Sequence, residues 1–250
     1  MADWFVGITT APRPHGSLLA STAKSLSGAG WNHPVAFAEP ESDVGDCEAV
    51  LNPSRLGAWG NFLQAVRHAV DSGAERIAVV QDDIQCAIGL REYLDNTLRD
   101  GWHSPYCPGY AAEFIRGGWM AVPAAHIHRE HGGCFFACTR ETAARFLKTL
   151  PRDTGINGTD RWVTKWSRRT KTPLWYHSPS LVQHVGVQST IHLKKRSATD
   201  PDVPLCWMRQ ATNYCNDVRS LDVLRNSVEL EATIPPADDL RIAEEDGAVR

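Results

Sequence analysis

The segment Arg76–Ile84, RIAVVQDDI, constrains the fold most, because a continuous apolar run of strand length stops abruptly at two adjacent carboxylates. A run of this kind without polar alternation reads as a strand buried on both faces. In open α/β sheets ligands bind just beyond the carboxyl ends of the strands, which would deliver Asp82 and Asp83 to the mouth of a binding crevice. Two neighbouring carboxylates repel each other, and the ordinary reason to keep them together is a divalent cation shared among several oxygens. The plain alternative is a solvated turn after a strand.

The flanking sequence fits that frame. Trp4–Thr10 reads as a first strand, followed by a loop carrying Pro and Gly and a helix with Leu19, Ala23 and Leu26 on one face. Gly28 and Gly30 end that helix. Val35–Ala38 reads as a second strand, and an acidic loop through Asp46 leads to a helix with Phe62, Leu63, Val66, Ala69 and Val70 inward, stopped by Gly73. Strand, helix, strand, helix, strand predicts an α/β fold with a mostly parallel central sheet flanked by helices. Leu90 to Leu98 is helix-like, and the stretch from Gly101 to Gly118, rich in Pro, Gly and aromatics, reads as a loop over the active face. Gly132 to Cys138 then reads as a strand, and Thr139 caps a helix carrying Ala143, Phe146, Leu147 and Leu150, closed by Pro151.

Composition excludes several classes. With 250 residues, 22% charged and 42% hydrophobic, the chain has the balance of an ordinary globular protein with a sizeable core. A net charge of -3 gives no global basic footprint. No apolar stretch approaches the roughly 20 residues needed to cross a bilayer, and no charged and then apolar leader opens the chain, so a cytoplasmic protein is expected. The seven cysteines form no CxxC pair and fit a reducing compartment. Cys134, Phe136 and Cys138 alternate as on one strand face, which favours packing over reactivity. From about Pro235 the chain is acidic and poor in large apolar residues, as a mobile tail would be.

Two further constellations carry chemistry. In Gly155–Trp162, GINGTDRW, Asp160 falls in the first turn of a helix with Trp162, Val163 and Trp166 inward. The helix dipole favours a carboxylate there, where it can accept a proton, although Asp in a first turn is also commonplace. In Ser178–Thr190, Leu181 and Val182 run into Gln183 and His184, and Gly186 allows close backbone approach. Neutral imidazole ligates divalent metals, so His184 could complete the cation site that Asp83 opens; a core histidine is the alternative.

In order, Thr9-Thr10-Ala11-Pro12-Arg13, Gln81-Asp82-Asp83, Gly132-Gly133, the Asp160 helix start and Ser180–Gly186 resemble glycosyltransferases of the GT-A (nucleotide-diphospho-sugar transferase) fold. The last segment is similar to the N-acetylglucosaminyltransferase IV family and to small phage-type glycosyltransferases. The resemblance spans roughly residues 4 to 192 and implies a catalytic domain over 1–192 and a C-terminal extension over 193–250. It implies that Asp83 and His184 bind Mn2+ or Mg2+ on the donor diphosphate, that Asp82 faces the sugar or ribose, and that Asp160 deprotonates the acceptor hydroxyl. Thr9, Thr10, Arg13 and Gly133 would hold the nucleotide of the donor, a UDP-sugar being favoured. One departure is that Gln81 stands where the common motif begins with Glu, and many relatives space the acids Asp-x-Asp.

Such an enzyme would be an inverting glycosyltransferase whose transition state resembles an oxocarbenium ion. A positioned base contributes ~10²–10⁴ in rate, and the cation several kcal/mol of charge stabilisation. Arg161, Lys165, Arg168, Arg169 and Lys171 follow the base directly, and Lys194, Lys195 and Arg196 follow the metal histidine. DNA carrying hydroxymethylated bases would be held by such a patch with steep salt dependence. A glycan or a protein is the alternative acceptor, and basic runs are often only solvated helix faces. Two other classes remain open. His126, His128 and His131 could form a zinc cluster of a metal-dependent hydrolase. A non-catalytic module could use the nine tryptophans as a sugar or nucleotide platform.

Overall fold

The computed structural model describes residues 3–13, 16–106, 118–121, 133–150, 158–178 and 180–184, with the side chain of Ser178 left aside. The expected boundary near residue 193, the basic residues Lys194, Lys195 and Arg196, the acidic tail, and His126, His128 and His131 lie outside the described residues.

The first half is built as its periodicity predicts. Strand β1 (Trp4–Thr10) pairs in parallel with β2 (Val35–Ala38) on one side and β4 (Arg76–Gln81) on the other. The crossover helices are α1 (Leu19–Gly28) and α2 (Gly57–Asp71). A short β3 (Ala49–Leu51), hidden in the acidic loop, extends the edge beside β2. Strand β4 stops at Gln81, the two aspartates form a turn, and Ile84 opens β5 (Ile84–Cys86), which leads to α3 (Leu90–Thr97).

The expectation of a mostly parallel sheet is corrected by the second half. The strand order is β3-β2-β1-β4-β8-β6-β9-β7. Strand β8 (Phe135–Thr139) runs antiparallel to both β4 and β6 (Trp102–Ser104), and β7 (Gly118–Ala121) runs antiparallel to β9 (Leu174–Ser178), while β6 and β9 are parallel. The sheet is mixed. Its central strands are buried on both faces whichever way they run, so the apolar residues of β8 carry no mark of direction. Residues 102–104 likewise form the buried strand β6 and not part of a loop over the active face.

Alternation along the strands sorts the core into two layers. Val6, Ile8, Ala78, Val80, Phe135 and Ala137 pack with α1 and α3 on one face. Phe37, Ile77, Val79, Phe136 and Cys138 pack with α2, α4 (Arg140–Thr149) and α5 (Thr159–Thr170) on the other. Cys134, one residue before β8, joins the first layer and so does not share a face with Phe136 and Cys138. Burial pushes the Cys138 thiol well above its ordinary pKa, which keeps it protonated and inert. Thr139 caps α4 by accepting a hydrogen bond from Thr142 N at 3.2 Å, a contact worth about 1 kcal/mol.

Helix α5 matters most for the site. Trp162, Val163 and Trp166 are buried against the second layer, leaving Arg161, Lys165, Arg168 and Arg169 exposed. Gly158 supplies its N-cap at φ 147°, a conformation an L side chain resists. Among the described residues no helix is long and apolar enough to cross a membrane.

Candidate functional site

Because β1, β2 and β4 run parallel, their carboxyl ends open on one edge of the sheet, the usual place for a ligand crevice. A cleft of about 490 Å³ lies there, lined by Thr9, Thr10 and Arg13 from the end of β1, Glu39 from the end of β2, and Asp82 and Asp83 from the end of β4. The first turn of α2, Gly158 and His184 complete its wall.

The acid turn is pinned from three sides. Asp82 N donates to Thr9 O at 3.1 Å, and Gln81 N donates to Cys134 O at 2.8 Å. Thr22 of α1 donates its hydroxyl to Asp82 O at 2.8 Å and accepts from Ile84 N at 3.2 Å. Directly after the turn, β5 pairs antiparallel with β10 (Val182–His184), in a register that sets His184 opposite Ile84. That register carries His184 back to the acids, with its Nε2 3.0 Å from Asp83 Oδ2.

The charges of the turn are shared with one guanidinium. Arg13 Nη2 donates to Asp83 Oδ2 at 2.8 Å and also to Asp82 Oδ1, while Arg13 Nε donates to Asp82 Oδ2 at 3.2 Å. Thr10 donates its hydroxyl to Asp82 Oδ2 at 2.5 Å. Burial alone would raise the Asp83 pKa, but the His184 and Arg13 contacts outweigh it and hold the carboxyl below its ordinary value. Burial works against the Arg13 charge as well, yet Asp82 and then Asp83 keep its pKa above the ordinary value.

Asp83 Oδ1 is buried and has no hydrogen-bond partner among the described residues. A buried carboxylate oxygen without a donor is costly, and a cation is the group that would satisfy it beside an imidazole nitrogen. Among the described residues no three His, Cys, Asp or Glu side chains are grouped to hold a metal. Asp83 and His184 could supply two ligands to an ion that takes the rest from phosphate oxygens and water.

Asp160 is the second residue of α5, two after Gly158, and is half-buried beside the cleft lining without being part of it, its Oδ1 accepting a hydrogen bond from Arg161 N at 2.9 Å. Gly133 does not line the cleft. It lies against the start of α5, where an added Cβ would meet Asp160 N at 3.1 Å and Asp160 Cβ at 3.3 Å. Its place in the site is therefore one of close packing against the candidate base.

No family model matches the chain, and no curated protein matches it. Solved structures similar to it include a nucleotidyl transferase from Methanothermobacter thermautotroptrophicus, at TM-score 0.45 and 12% identity over 70% of this chain and 88% of that one. A mannose-1-phosphate geranyltransferase from Thermus thermophilus overlaps at TM-score 0.42 and 12% identity, over 70% of this chain and 73% of that one. HddC from Yersinia pseudotuberculosis overlaps at TM-score 0.35 and 13% identity, over 62% of this chain and 88% of that one.

Three cleft residues escape the sequence reading. Glu39 is buried, and both its oxygens accept from Leu56 N, at 3.2 and 2.9 Å, which fixes the entry into α2. Asn61 donates to Phe37 O at 2.8 Å and Thr10 O at 3.3 Å, tying α2 to two strand ends. Trp59 stacks on Trp162 with ring centroids 4.8 Å apart and planes 8° from parallel, linking the cleft wall to the helix of Asp160. Glu39 follows a buried strand just as Asp82 does, so the strand-end rule would have found it; the roles of Asn61 and Trp59 arise only from helix packing.

Proposed function

We propose that the chain transfers a sugar from a nucleoside-diphosphate donor, UDP-sugar being favoured, to an acceptor hydroxyl, with a divalent cation on the donor diphosphate. The observation that carries this reading is the convergence of Asp83 and His184 beside Arg13 at the strand-end cleft, with a buried carboxylate oxygen left over. A cleft of about 490 Å³ has room for a nucleotide sugar.

In this reading Asp83 and His184 would hold Mn2+ or Mg2+. Bound there, the cation would neutralise the charge that develops on the departing diphosphate. Thr9, Thr10 and Arg13 hold the phosphates and nucleoside, Asp82 orients Arg13 and Thr10 beside the sugar, and Glu39 offers hydrogen-bond acceptors to ribose or base. Asp160 takes the proton of the acceptor hydroxyl as that oxygen attacks the anomeric carbon on the face opposite the diphosphate, which inverts the anomeric configuration.

For the acceptor, the exposed cations Arg161, Lys165, Arg168 and Arg169 follow Asp160 on its own helix and suit a polyanion, DNA with hydroxymethylated bases before a glycan or protein. The test is incubation with a panel of nucleotide sugars and Mn2+, followed by mass analysis of modified DNA, glycans and lysate protein. Added hexose mass on one acceptor class supports the reading. A melting temperature unmoved by every nucleoside diphosphate with Mn2+ contradicts it, since a ligand at 100 times its Kd stabilises by about 2.7 kcal/mol.

A further inference from the structure

We infer that Arg13 is the resting counter-ion of the acid pair, holding Asp82 and Asp83 until a divalent cation and a diphosphate arrive together, and then leaving Asp83 for the diphosphate. The inference rests on the donor and cation reading above and adds a competition within it. Asp83 Oδ2 accepts from Arg13 Nη2 at 2.8 Å and lies 3.0 Å from His184 Nε2. The guanidinium therefore already neutralises the carboxylate that would help to hold a cation. A divalent ion anchored on Asp83 and His184 would stand within a few ångströms of the Arg13 charge, in a cleft where Asp83 and Arg13 are largely withdrawn from water.

A divalent ion and the guanidinium on one carboxylate repel each other strongly at this distance, so one must give way. Arg13 is the one built to do so. It stands on the segment following β1 and lines the cleft, whereas Asp83 and His184 are fixed by the β5–β10 pairing. Its Nε bond to Asp82 and the support of Thr10 can persist while Nη2 turns to a phosphate oxygen, whose geometry the guanidinium fork matches as well as it does a carboxylate. Metal alone thus has to displace Arg13 without recompense, while metal with diphosphate gives the guanidinium a new partner. Binding of the two is expected to be strongly synergistic.

Calorimetric titration of Mn2+ alone, and of Mn2+ with UDP, into the full chain tests this. Arg13→Gln is expected to bind Mn2+ alone at least tenfold more tightly than the natural protein and Mn2+ with UDP at least tenfold more weakly. Unchanged or weakened binding of Mn2+ alone overturns the counter-ion role. Asp83→Asn and His184→Ala separate the two levels: if they bind Mn2+ with UDP normally, the cation site itself is wrong. If they lose that binding while Arg13→Gln leaves Mn2+ affinity unchanged, only the competition is wrong. Should Arg13→Gln fold poorly, the Arg13 Nη2–H resonance of the natural protein serves instead. It is expected to shift on addition of Mg2+ with UDP, and a resonance that stays in place contradicts the movement.

Discussion

His184 Nε2 lies 3.0 Å from Asp83 Oδ2, although 100 residues lie between them in the sequence. The contact follows from strand pairing, since β10 returns antiparallel to the short strand that leaves the acid turn. Replacing His184 with Ala, or Asp83 with Asn, removes half of the anchor. Losing several kcal/mol of charge stabilisation corresponds to a fall on the order of 10²-fold or more in kcat/KM. Steady-state kinetics across a Mn2+ series checks this, and normal turnover in His184→Ala would remove the histidine from the site.

Asp160 carries the proposed base function, and Asp160→Ala is expected to lower kcat by ~10²–10⁴ while leaving the affinity for UDP with Mn2+ close to normal. A variant that turns over normally would place the base elsewhere.

Gly133 gives an independent check on the position of Asp160. An alanine there would press on Asp160 N from 3.1 Å, so the start of α5 must shift by a few tenths of an ångström. A displacement approaching 1 Å costs about 10²-fold in rate. Gly133→Ala should therefore lower kcat with little change in donor affinity; a change in donor affinity alone would assign Gly133 to the nucleotide.

Much of this architecture is legible in the sequence because its signals are local. The bounds of β1, β2, α1 and α4 follow from apolar period, glycine stops and the Thr139 cap, and Asp82, Asp83 and His184 stand out as polar residues ending apolar runs. The short strands β3, β6, β7 and β9 are not legible, since three to five residues carry too little periodicity to separate strand from loop. The direction of β8 is invisible for a different reason: a strand covered on both faces reads the same either way. Glu39 was within reach of the strand-end rule, whereas Asn61 and Trp59 matter only because α2 meets two strand ends and α5.

His103, remote from the acid turn and wholly buried on β6, makes a prediction about pH. Burial pushes its pKa down to about 3, so the native imidazole stays neutral in mild acid. The unfolded chain takes up that proton below about 6.5, and so binds more protons than the native state across this window. His103 therefore makes stability rise with pH between about 3 and about 6.5, and fall as the pH drops. Denaturation curves of the natural protein and His103→Gln should differ in slope there, and an NMR titration of His103 near pH 6 would contradict the assignment.

If α5 meets a polyanionic acceptor, the plot of log affinity against log salt should be steep, and Lys165→Ala should flatten it by about 0.9 for each duplex phosphate that the lysine neutralises. An unchanged slope would make the α5 cations an ordinary solvated face.

The most direct measurement is pulsed EPR of Mn2+ bound to the protein with UDP. A nitrogen coupling from a directly ligated imidazole is expected in the natural protein and should disappear in His184→Ala. Mn2+ that binds with UDP yet shows no such coupling, or keeps it in the variant, would contradict a cation held between Asp83 and His184.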